Sequence, residues 1–393
     1  MEHADVVVVG GGPAGSTCAG RLRAGGLDVV LLDKARFPRP KPCAGWITPA
    51  VLDELRIEPD RYAPGRVLQP MTGFRVGLIG GRSLSVTWDR PVSFGIRRIE
   101  LDDYLLNRCG ARLHLGEPLA TLRRRGEAWI VNERIESPML VAAGGHFCPV
   151  GRLLALADRP GGGQTPFFKD PSGGPLIVSQ EIELELSPEQ QARLPIDPEV
   201  PEVYFCRDLL GYGWCIRKGN YLNIGLGRAD RRQLPRHVAD FCQYLQTQNR
   251  IPPDLPHGFV GHAYLLYQQS ARPLVADGTL WIGDSAGLAY PQSGEGIRPA
   301  VESGLMAAEA ILAAGGDYRP AALEPYRRRV EARFGRRPKR PPVEEPPSAL
   351  RRLAARWLLA RPWFVRRVLL ERWFLHCSVP PLSACGYNAE VRS

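Results

Sequence analysis

The sequence lacks the features of a membrane-spanning or secreted protein. It contains no run of about eighteen apolar residues, so we expect no transmembrane helix. The residues before the first predicted strand include no basic n-region, which argues against a signal peptide. We therefore expect a cytoplasmic protein, with peripheral association at a membrane surface as an open alternative.

Cysteine spacings typical of metal or redox sites are also lacking. The chain has nine cysteines, but none forms a Cys-x-x-Cys pair, and the spacings between them are not those of metal ligands. We predict reduced, mostly buried thiols and no bound metal.

Excess positive charge is nearly absent from most of the chain and is concentrated at its end. The net charge is +10, and residues 319–393 alone hold 17 Arg and Lys against 6 Asp and Glu. No nucleic-acid-binding motif accompanies these residues, so we predict no nucleic-acid partner. The composition, 44% hydrophobic and 23% charged, is typical of a globular protein, and 393 residues suffice for two interleaved domains and a tail.

The N-terminal segment 5–33 predicts a dinucleotide-binding unit. An apolar run, Val6 to Val9, suits a buried parallel strand and leads into Gly10-x-Gly12-x-x-Gly15. Small residues then predict a helix whose N-terminus can bind a pyrophosphate. A second predicted strand ends on Asp33, where a carboxylate can accept hydrogen bonds from ribose hydroxyls.

Two later glycine-rich segments predict further contacts with the same nucleotide. A strand near 139–142 runs into Gly144, and a short strand at 280–282 ends in Gly283-Asp284. A long helix of small residues begins near Gly296, so its N-terminus can point at the pyrophosphate or at the flavin O2 region. Two glycine-rich helix starts suit one long dinucleotide that is bound from both sides.

The middle of the chain predicts an antiparallel β domain. Period-two alternation over 176–186 and successive apolar runs over 202–228 indicate strands, and a helix is expected at about 236–249. Tyr212 and Trp214 lie at alternate positions of one strand, where they either line a substrate pocket or pack in the core.

Cys43 and Arg98 each allow two interpretations. Cys43 lies on a loop that leaves the nucleotide-binding unit, where it is either a redox partner of the cofactor or a small filler. Arg98 precedes an amphipathic helix and either reaches a phosphate or flavin edge or pairs with Asp102 or Asp103.

The C-terminal tail predicts two basic, Trp-rich helices, at 350–361 and 363–377. Such helices suit an anionic membrane surface or a groove for a long lipid. The alternative is a helical pair that packs on the catalytic body with its arginines in solvent.

Four segments carry a resemblance to a known family: the first glycine motif with Asp33, KPCAGW (41–46), RRIELDDYLL (97–106) and GDSAGLAYPQSGEGIRPAVESG (283–304). The chain resembles the FAD-dependent geranylgeranyl reductases, within the p-hydroxybenzoate-hydroxylase-like flavoproteins, from residue 1 to about 330. The resemblance implies an α/β fold: a Rossmann-like FAD-binding domain with an inserted antiparallel β-sheet substrate domain and a C-terminal helical tail. We predict FAD-binding segments at 1–60, 96–160 and 273–320, substrate-domain segments at 61–95 and 161–272, and the tail at 321–393.

The motifs and the resemblance together give the candidate site residues. Those predicted to bind FAD are Gly10, Gly12, Pro13, Ala14, Gly15, Asp33, Lys34, Cys43, Ala44, Gly45, Arg98, Gly144, Gly283, Asp284, Gly294, Glu295, Gly296 and Ile297. Those predicted to act in catalysis are Cys43, Tyr212 and Trp214. The family has a cysteine beside the flavin in the KPC loop, and Cys43 occupies that position.

The sequence departs from its relatives at two places. Tyr212-x-Trp214-x-Ile216 resembles the family's Tyr-x-Trp-x-Phe-Pro substrate motif, but Arg217 stands where proline would follow. The Asp-Gly pair of the hydroxylases is Gly144-Gly145 here, which weakens the monooxygenase interpretation.

The resulting functional hypothesis is an FAD-dependent oxidoreductase. It would reduce carbon–carbon double bonds of a prenyl or other hydrophobic substrate, with electrons from an external donor such as NADPH or a redox protein. One alternative is a flavin-dependent monooxygenase or halogenase. Another is a non-enzymatic flavin-binding membrane adaptor in which the tail is the working part.

Overall fold

The computed structural model describes residues 1–157, 176–230, 232–252, 258–338 and 347–382. The described residues form two compact units. The first draws on Met1–Arg39, Leu101–Gly174 and Tyr264–Val343, and the second on Pro40–Glu100, Pro175–Ala263 and Glu344–Ser393. The predicted combination of a parallel α/β unit, an antiparallel β-sheet and a helical C-terminus is confirmed.

The first unit is built on a six-stranded sheet that is parallel except at one edge. Val6–Val9 is almost wholly buried, which explains why every residue of this strand is valine. The sheet's strands, in spatial order, are β19 (Val275–Ala276), β20 (Thr279–Trp281), β13 (Met139–Ala142), β2 (Val6–Val9), β3 (Val29–Asp33) and β9 (Arg112–Leu115). Only the β19–β20 pair is antiparallel.

Two helices of this unit, Pro13–Ala24 and Ile297–Ala314, pack closely against each other. A β-carbon at Gly304 would lie 2.6 Å from the carbonyl oxygen of Ala14, so only glycine permits this approach. A smaller sheet completes the unit, with strands in the order β1 (Glu2–His3), β12 (Ile135–Ser137), β11 (Ala128–Val131) and β10 (Leu122–Arg125).

The second unit is built on a seven-stranded sheet. One face packs on the helix Leu234–Thr247 through a core that includes Tyr204, Ile224 and Phe241. The strands, in spatial order, are β18 (Val260–Leu265), β14 (Leu176–Glu185), β17 (Tyr221–Arg228), β16 (Gly211–Lys218), β15 (Glu202–Phe205), β6 (Gly73–Leu78) and β7 (Ser83–Thr87). A three-stranded sheet lies in the same unit, in the order β4 (Trp46–Ile47), β8 (Ser93–Ile96) and β5 (Leu68–Met71).

The helices of the two units are α1 (Pro13–Ala24), α2 (Pro49–Leu55), α3 (Pro59–Tyr62), α4 (Arg98–Arg108), α5 (Val150–Ala157), α6 (Pro188–Arg193), α7 (Leu234–Thr247), α8 (Ile297–Ala314), α9 (Pro320–Phe334), α10 (Ala349–Leu359) and α11 (Pro362–Phe364), with a π-helix over Val365–Phe374. Of these, α1, α7, α8 and α10 lie within a few residues of predicted helices, whereas the predicted second tail helix at 363–377 is a short α-helix followed by a π-helix. Across the described residues, none of the helices combines the length and apolarity that crossing a bilayer requires.

The tail separates into two parts with different surroundings. The π-helix packs on the seven-stranded sheet, where Val365, Leu370 and Phe374 join a core that contains Trp46 and Trp214. In contrast, α10 keeps Leu350, Leu353 and Trp357 exposed. The structure therefore shows the second part of the tail, residues 365–374, packed on the β domain.

Candidate active site

Four loops of the first unit gather at one edge of its parallel sheet. They follow β2, β3, β13 and β20, whose carboxyl ends point the same way. In open α/β sheets this edge is where ligands bind. Of the predicted cofactor residues, those in this unit are Gly10, Gly12, Pro13, Ala14, Gly15, Asp33, Lys34, Gly144, Gly283, Asp284, Gly294, Glu295, Gly296 and Ile297.

The first glycine loop leaves an open space beside Gly12, the Gly12 cradle. A β-carbon at Gly10 or Gly15 would collide with backbone, and Gly10 also has φ +117°. At Gly12, in contrast, the nearest atom to such a β-carbon would be Nη2 of Arg39, at 3.7 Å. Because α1 begins directly after Gly12, its free N–H groups point into this space, which suits a pyrophosphate.

Asp33 is held firmly beside this loop. Its carboxylate accepts hydrogen bonds from the backbone N–H of Gly11 (2.7 Å) and of Ala35 (2.8 Å). The acid therefore lies at the carboxyl end of β3, as the sequence predicted, with the exposed Lys34 next to it.

Arg39 is a candidate that the sequence reasoning missed. Its guanidinium lies 3.3 Å from the fully buried carboxylate of Asp102, and its Nη2 is the atom closest to the Gly12 cradle. A cation fixed in this way can bind a phosphate. Arg39 follows two other basic residues, Lys34 and Arg36, in a proline-rich loop, so its position in the sequence does not single it out.

The third glycine-rich segment places two carboxylates near the start of α8. Asp284 Oδ1 would lie 3.2 Å from a β-carbon at Gly296. Glu295 is buried, and its Oε2 has no hydrogen-bond partner among the described residues. Burial raises the pKa of Glu295 to about 7, although the nearby Arg298 opposes the shift. The open cradle at Gly12 and this orphaned oxygen both fit a bound dinucleotide.

The remaining predicted residues lie in the second unit, which holds Cys43, Ala44, Gly45, Arg98, Tyr212 and Trp214. Cys43 is half-buried, and both of its backbone polar groups are engaged by side chains. Its N–H donates to Oε1 of Glu181 at 2.5 Å, and its carbonyl accepts from Nδ2 of Asn223 at 3.3 Å. Neither Glu181 nor Asn223 was predicted.

Tyr212 and Trp214 lie in an aromatic cluster. Their rings are 6.1 Å apart, and the ring of Tyr212 is 5.5 Å from that of Phe374 in the π-helix. The indole N–H of Trp214 donates to Oδ1 of Asn223 at 2.7 Å. Trp214 is buried whereas Tyr212 is half-buried, so their role in binding substrate stays a prediction.

A network of charges surrounds the Cys43 segment. Lys218 is fully buried, and its Nζ lies 2.6 Å from Glu183 and donates to the carbonyls of Ala44 and Ile96. Although burial opposes it, the ammonium of Lys218 and the guanidinium of Arg97 hold the pKa of Glu183 below its usual value. Arg98 is the first residue of α4, and its predicted contact with the cofactor remains a prediction.

Comparisons with known proteins identify relatives of this chain. Residues 3–75 match the family model described as FAD binding domain. The chain is 30% identical to menaquinone reductase of Mycobacterium tuberculosis over 336 residues, which cover 79% of this chain and 77% of that one. It is 27% identical to digeranylgeranylglycerophospholipid reductase 1 of Methanothermobacter thermautotrophicus over 362 residues, covering 85% and 84%.

A solved structure shows the same fold. It is a geranylgeranyl bacteriochlorophyll reductase-like protein from Thermoplasma acidophilum, with a TM-score of 0.70 and 21% sequence identity, and the match covers 92% of this chain and 88% of that one. The cofactor of the chain is FAD, which the glycine-rich edge of the first unit fits.

Proposed function

Because the chain belongs to the FAD-dependent geranylgeranyl reductase family, we propose that this FAD oxidoreductase reduces carbon–carbon double bonds of a prenyl chain. The substrate class is a hydrophobic molecule that carries such a chain, a prenylated quinone or a prenyl-ether lipid. The names of the two relatives support this class, since one is a menaquinone reductase and the other a digeranylgeranylglycerophospholipid reductase.

The residues of the first unit would hold the cofactor. The N-terminus of α1 and the Arg39 guanidinium would bind the pyrophosphate, and Asp33 would accept hydrogen bonds from the ribose. The start of α8, with Glu295, would face a polar part of the dinucleotide. Bound FAD supplies the hydride chemistry, so these residues serve to bind and orient it.

The residues of the second unit would serve the substrate. A chain of contacts connects the aromatic cluster to Cys43. The ring of Tyr212 lies near that of Trp214, and the Trp214 indole donates a hydrogen bond to Asn223. Asn223 in turn donates to the backbone carbonyl of the half-buried Cys43. An aromatic cluster can bind an isoprenoid chain through apolar contact. This continuity is the observation that carries the proposal for the substrate side.

The electron donor is proposed to be external. The sequence contains no second glycine fingerprint that would form a lasting NADPH domain, so NADPH would dock transiently, or a redox protein would deliver the electrons.

We also propose that α10 places the protein on an anionic lipid surface. Leu350, Leu353 and Trp357 lie on one face of this helix and are 76%, 64% and 54% exposed. The opposite face carries Leu359, which packs against the aromatic core of the second unit. Exposed Arg351 and Arg356 flank the apolar face, so charge complementarity favours anionic lipid headgroups.

The reductase is tested with the FAD-loaded protein, reduced by dithionite without oxygen and incubated with either a menaquinone or a geranylgeranyl-ether phospholipid. After the quinone ring has been reoxidised in air, mass spectrometry should show that the prenyl chain has gained two hydrogens, with flavin absorbance returning as the substrate is consumed. A reduced flavin that transfers no hydrogen to either lipid would overturn the substrate class. Oxygen consumption coupled to hydroxylation or halogenation of an aromatic compound would overturn the reaction type.

A further inference from the structure

The peptide groups around Cys43 are held by side chains from two neighbouring strands. Glu181 lies on β14 and Asn223 on β17, and they engage the N–H and the carbonyl of Cys43, respectively. Both backbone polar groups of a single residue are thus fixed by side chains that are 138 and 180 positions away in sequence. Because both backbone polar groups are held, these two residues set the direction of the Cα–Cβ bond of Cys43.

Further hydrogen bonds from the same sheet involve Ala44, the residue after Cys43, and Trp214 of the predicted substrate motif. Asn223 also accepts the hydrogen bond from the Trp214 indole, which fixes the orientation of its amide. The next carbonyl along the chain, that of Ala44, accepts from the buried ammonium of Lys218. Consecutive peptide groups of the Cys43 loop are therefore attached to one face of the seven-stranded sheet.

Glu181 is the buried carboxyl group among these contacts. Its side chain is 7% exposed, and the charged groups that face it are Lys218 of β16 and Glu183 of its own strand. Burial raises the pKa of Glu181 to about 7. The Cys43 N–H, the Lys218 charge and the Asn223 amide lower it, and the Glu183 charge raises it further.

We propose that Glu181 and Asn223 are positioning residues that orient the Cys43 loop for the reaction, and that Glu181 holds the loop tightly only as the carboxylate. The role of the loop in the reaction rests on the proposed function, whereas its attachment to the sheet rests on the hydrogen bonds described above. A charged acceptor makes a stronger hydrogen bond to N–H than a neutral one. Protonation of Glu181 therefore weakens the attachment of Cys43 to the sheet.

The consequence is a pH-dependent mobility of the Cys43 loop. In Glu181→Gln the side chain keeps its size and can still accept a hydrogen bond, but it stays neutral at every pH. The variant should therefore resemble the wild-type protein at low pH, where Glu181 is protonated, and differ from it at high pH. Asn223→Ser removes the amide donor to the Cys43 carbonyl without changing any charge, so it should loosen the loop at low pH as well as at high pH.

The experiment measures alkylation of Cys43 by iodoacetamide in the FAD-loaded full chain, followed by mass spectrometry of the Cys43 peptide. For Glu181→Gln, we expect a rate close to wild type near about pH 5.5 and about tenfold faster near about pH 8.5, the factor expected for one hydrogen bond to a charged group. Asn223→Ser should be faster than wild type by a similar factor at both values. Glu185→Gln, a carboxylate on the same strand and exposed, is the matched control and should leave the rate unchanged.

Two outcomes overturn the proposal. One is a wild-type rate in both Glu181→Gln and Asn223→Ser at high pH. The other is a faster rate in Glu181→Gln at high pH together with a wild-type rate in Asn223→Ser, because loss of the carboxylate charge beside the thiol would then explain the reactivity without any change in the attachment of the loop. Since alkylation needs no turnover, this test can fail while the prenyl substrate is correct, and it can succeed if the substrate class is wrong. With an accepted substrate, a positioning role further predicts that Glu181→Gln lowers kcat above pH 7 and leaves KM unchanged.

Discussion

The ring of Trp214 covers the backbone of Gly225 on the neighbouring strand. The two residues are paired in register between β16 and β17, and a β-carbon at Gly225 would collide with ring atom Cζ2. The same β-carbon would lie 2.8 Å from that of Glu181 on β14. Glycine at this position therefore lets the indole lie flat on the sheet and reach Asn223.

This relationship predicts the effect of Gly225→Ala. The added methyl must displace the Trp214 ring, and overpacking of this kind costs about 1–3 kcal/mol in the free energy of unfolding. Displacement of the ring should also weaken the Trp214–Asn223 hydrogen bond. Urea unfolding followed by tryptophan fluorescence measures the loss.

Gly227→Ala is the matched control, two residues further along the same strand. Its β-carbon would have its nearest contact, with the β-carbon of Ser179, at 3.5 Å, which is an ordinary packing distance. Equal destabilisation in the two variants would show that the ring of Trp214 does not set the requirement for glycine.

Gly12→Val is expected to abolish FAD retention. Valine would fill the open cradle in front of α1, where the nearest contact of a β-carbon within the described part of the chain is Nη2 of Arg39, at 3.7 Å. The measurement is the ratio of flavin absorbance to protein absorbance after gel filtration. Ala24→Val, on an exposed position of the same helix, should keep a normal flavin content. Normal flavin in Gly12→Val would refute the placement of the pyrophosphate.

The stability of the protein should depend on pH through Glu181. Its pKa is about 7 in the folded protein and 4.5 ordinarily, so the folded state binds its proton more tightly than the unfolded state does. The stabilising effect of that proton is complete below pH 4.5 and is lost as pH rises through 7. Between these values, the wild-type free energy of unfolding should fall by up to about 1.4 kcal/mol per pH unit from this group alone.

Glu181→Gln removes this dependence because its amide does not titrate. The difference in stability between this variant and the wild type should therefore shift in favour of the variant as pH rises from 5 to 8, as measured by urea unfolding at each pH. A constant difference between Glu181→Gln and the wild type over this range would contradict the raised pKa of Glu181.

The features of the fold and of the site that could be predicted from the sequence are those that depend only on residues close together in the chain. Gly10, Gly12 and Gly15 follow a strand and precede a helix, so neighbouring residues alone specify the loop and the helix N-terminus. Asp33 is fixed in the same way, by its place at the end of the next strand. The fold class follows from the alternation of such segments.

Glu181 and Asn223 could not be predicted because strand register brings them to Cys43. Period-two alternation in β14 suggests a half-exposed strand with its glutamates in solvent, yet Glu181 is buried. What covers that face is the Cys43 loop, which comes from more than a hundred positions earlier in the chain. The same limit applies to the tail: its pattern predicts amphipathic helices but does not tell which face meets the protein.

The exposed face of α10 gives the last prediction. Leu350→Ser combined with Leu353→Ser should weaken binding to vesicles of phosphatidylglycerol and phosphatidylcholine by at least about tenfold, because each leucine loses roughly 1.5–3 kcal/mol of apolar burial in the lipid. Since both side chains are exposed, the fold and the flavin content should not change.

Cosedimentation with these vesicles is the measurement, and added salt should reduce the wild-type binding because the flanking arginines are screened. Val260→Ser, which changes a similarly exposed apolar residue on β18 (55% exposed), is the control and should bind as the wild type does. Undiminished binding of the double variant, or equal binding of the wild type to vesicles of phosphatidylcholine alone, would rule out α10 as an anionic-lipid surface. A concentration-dependent dimer that the double variant abolishes would instead assign this face to a second copy of the chain.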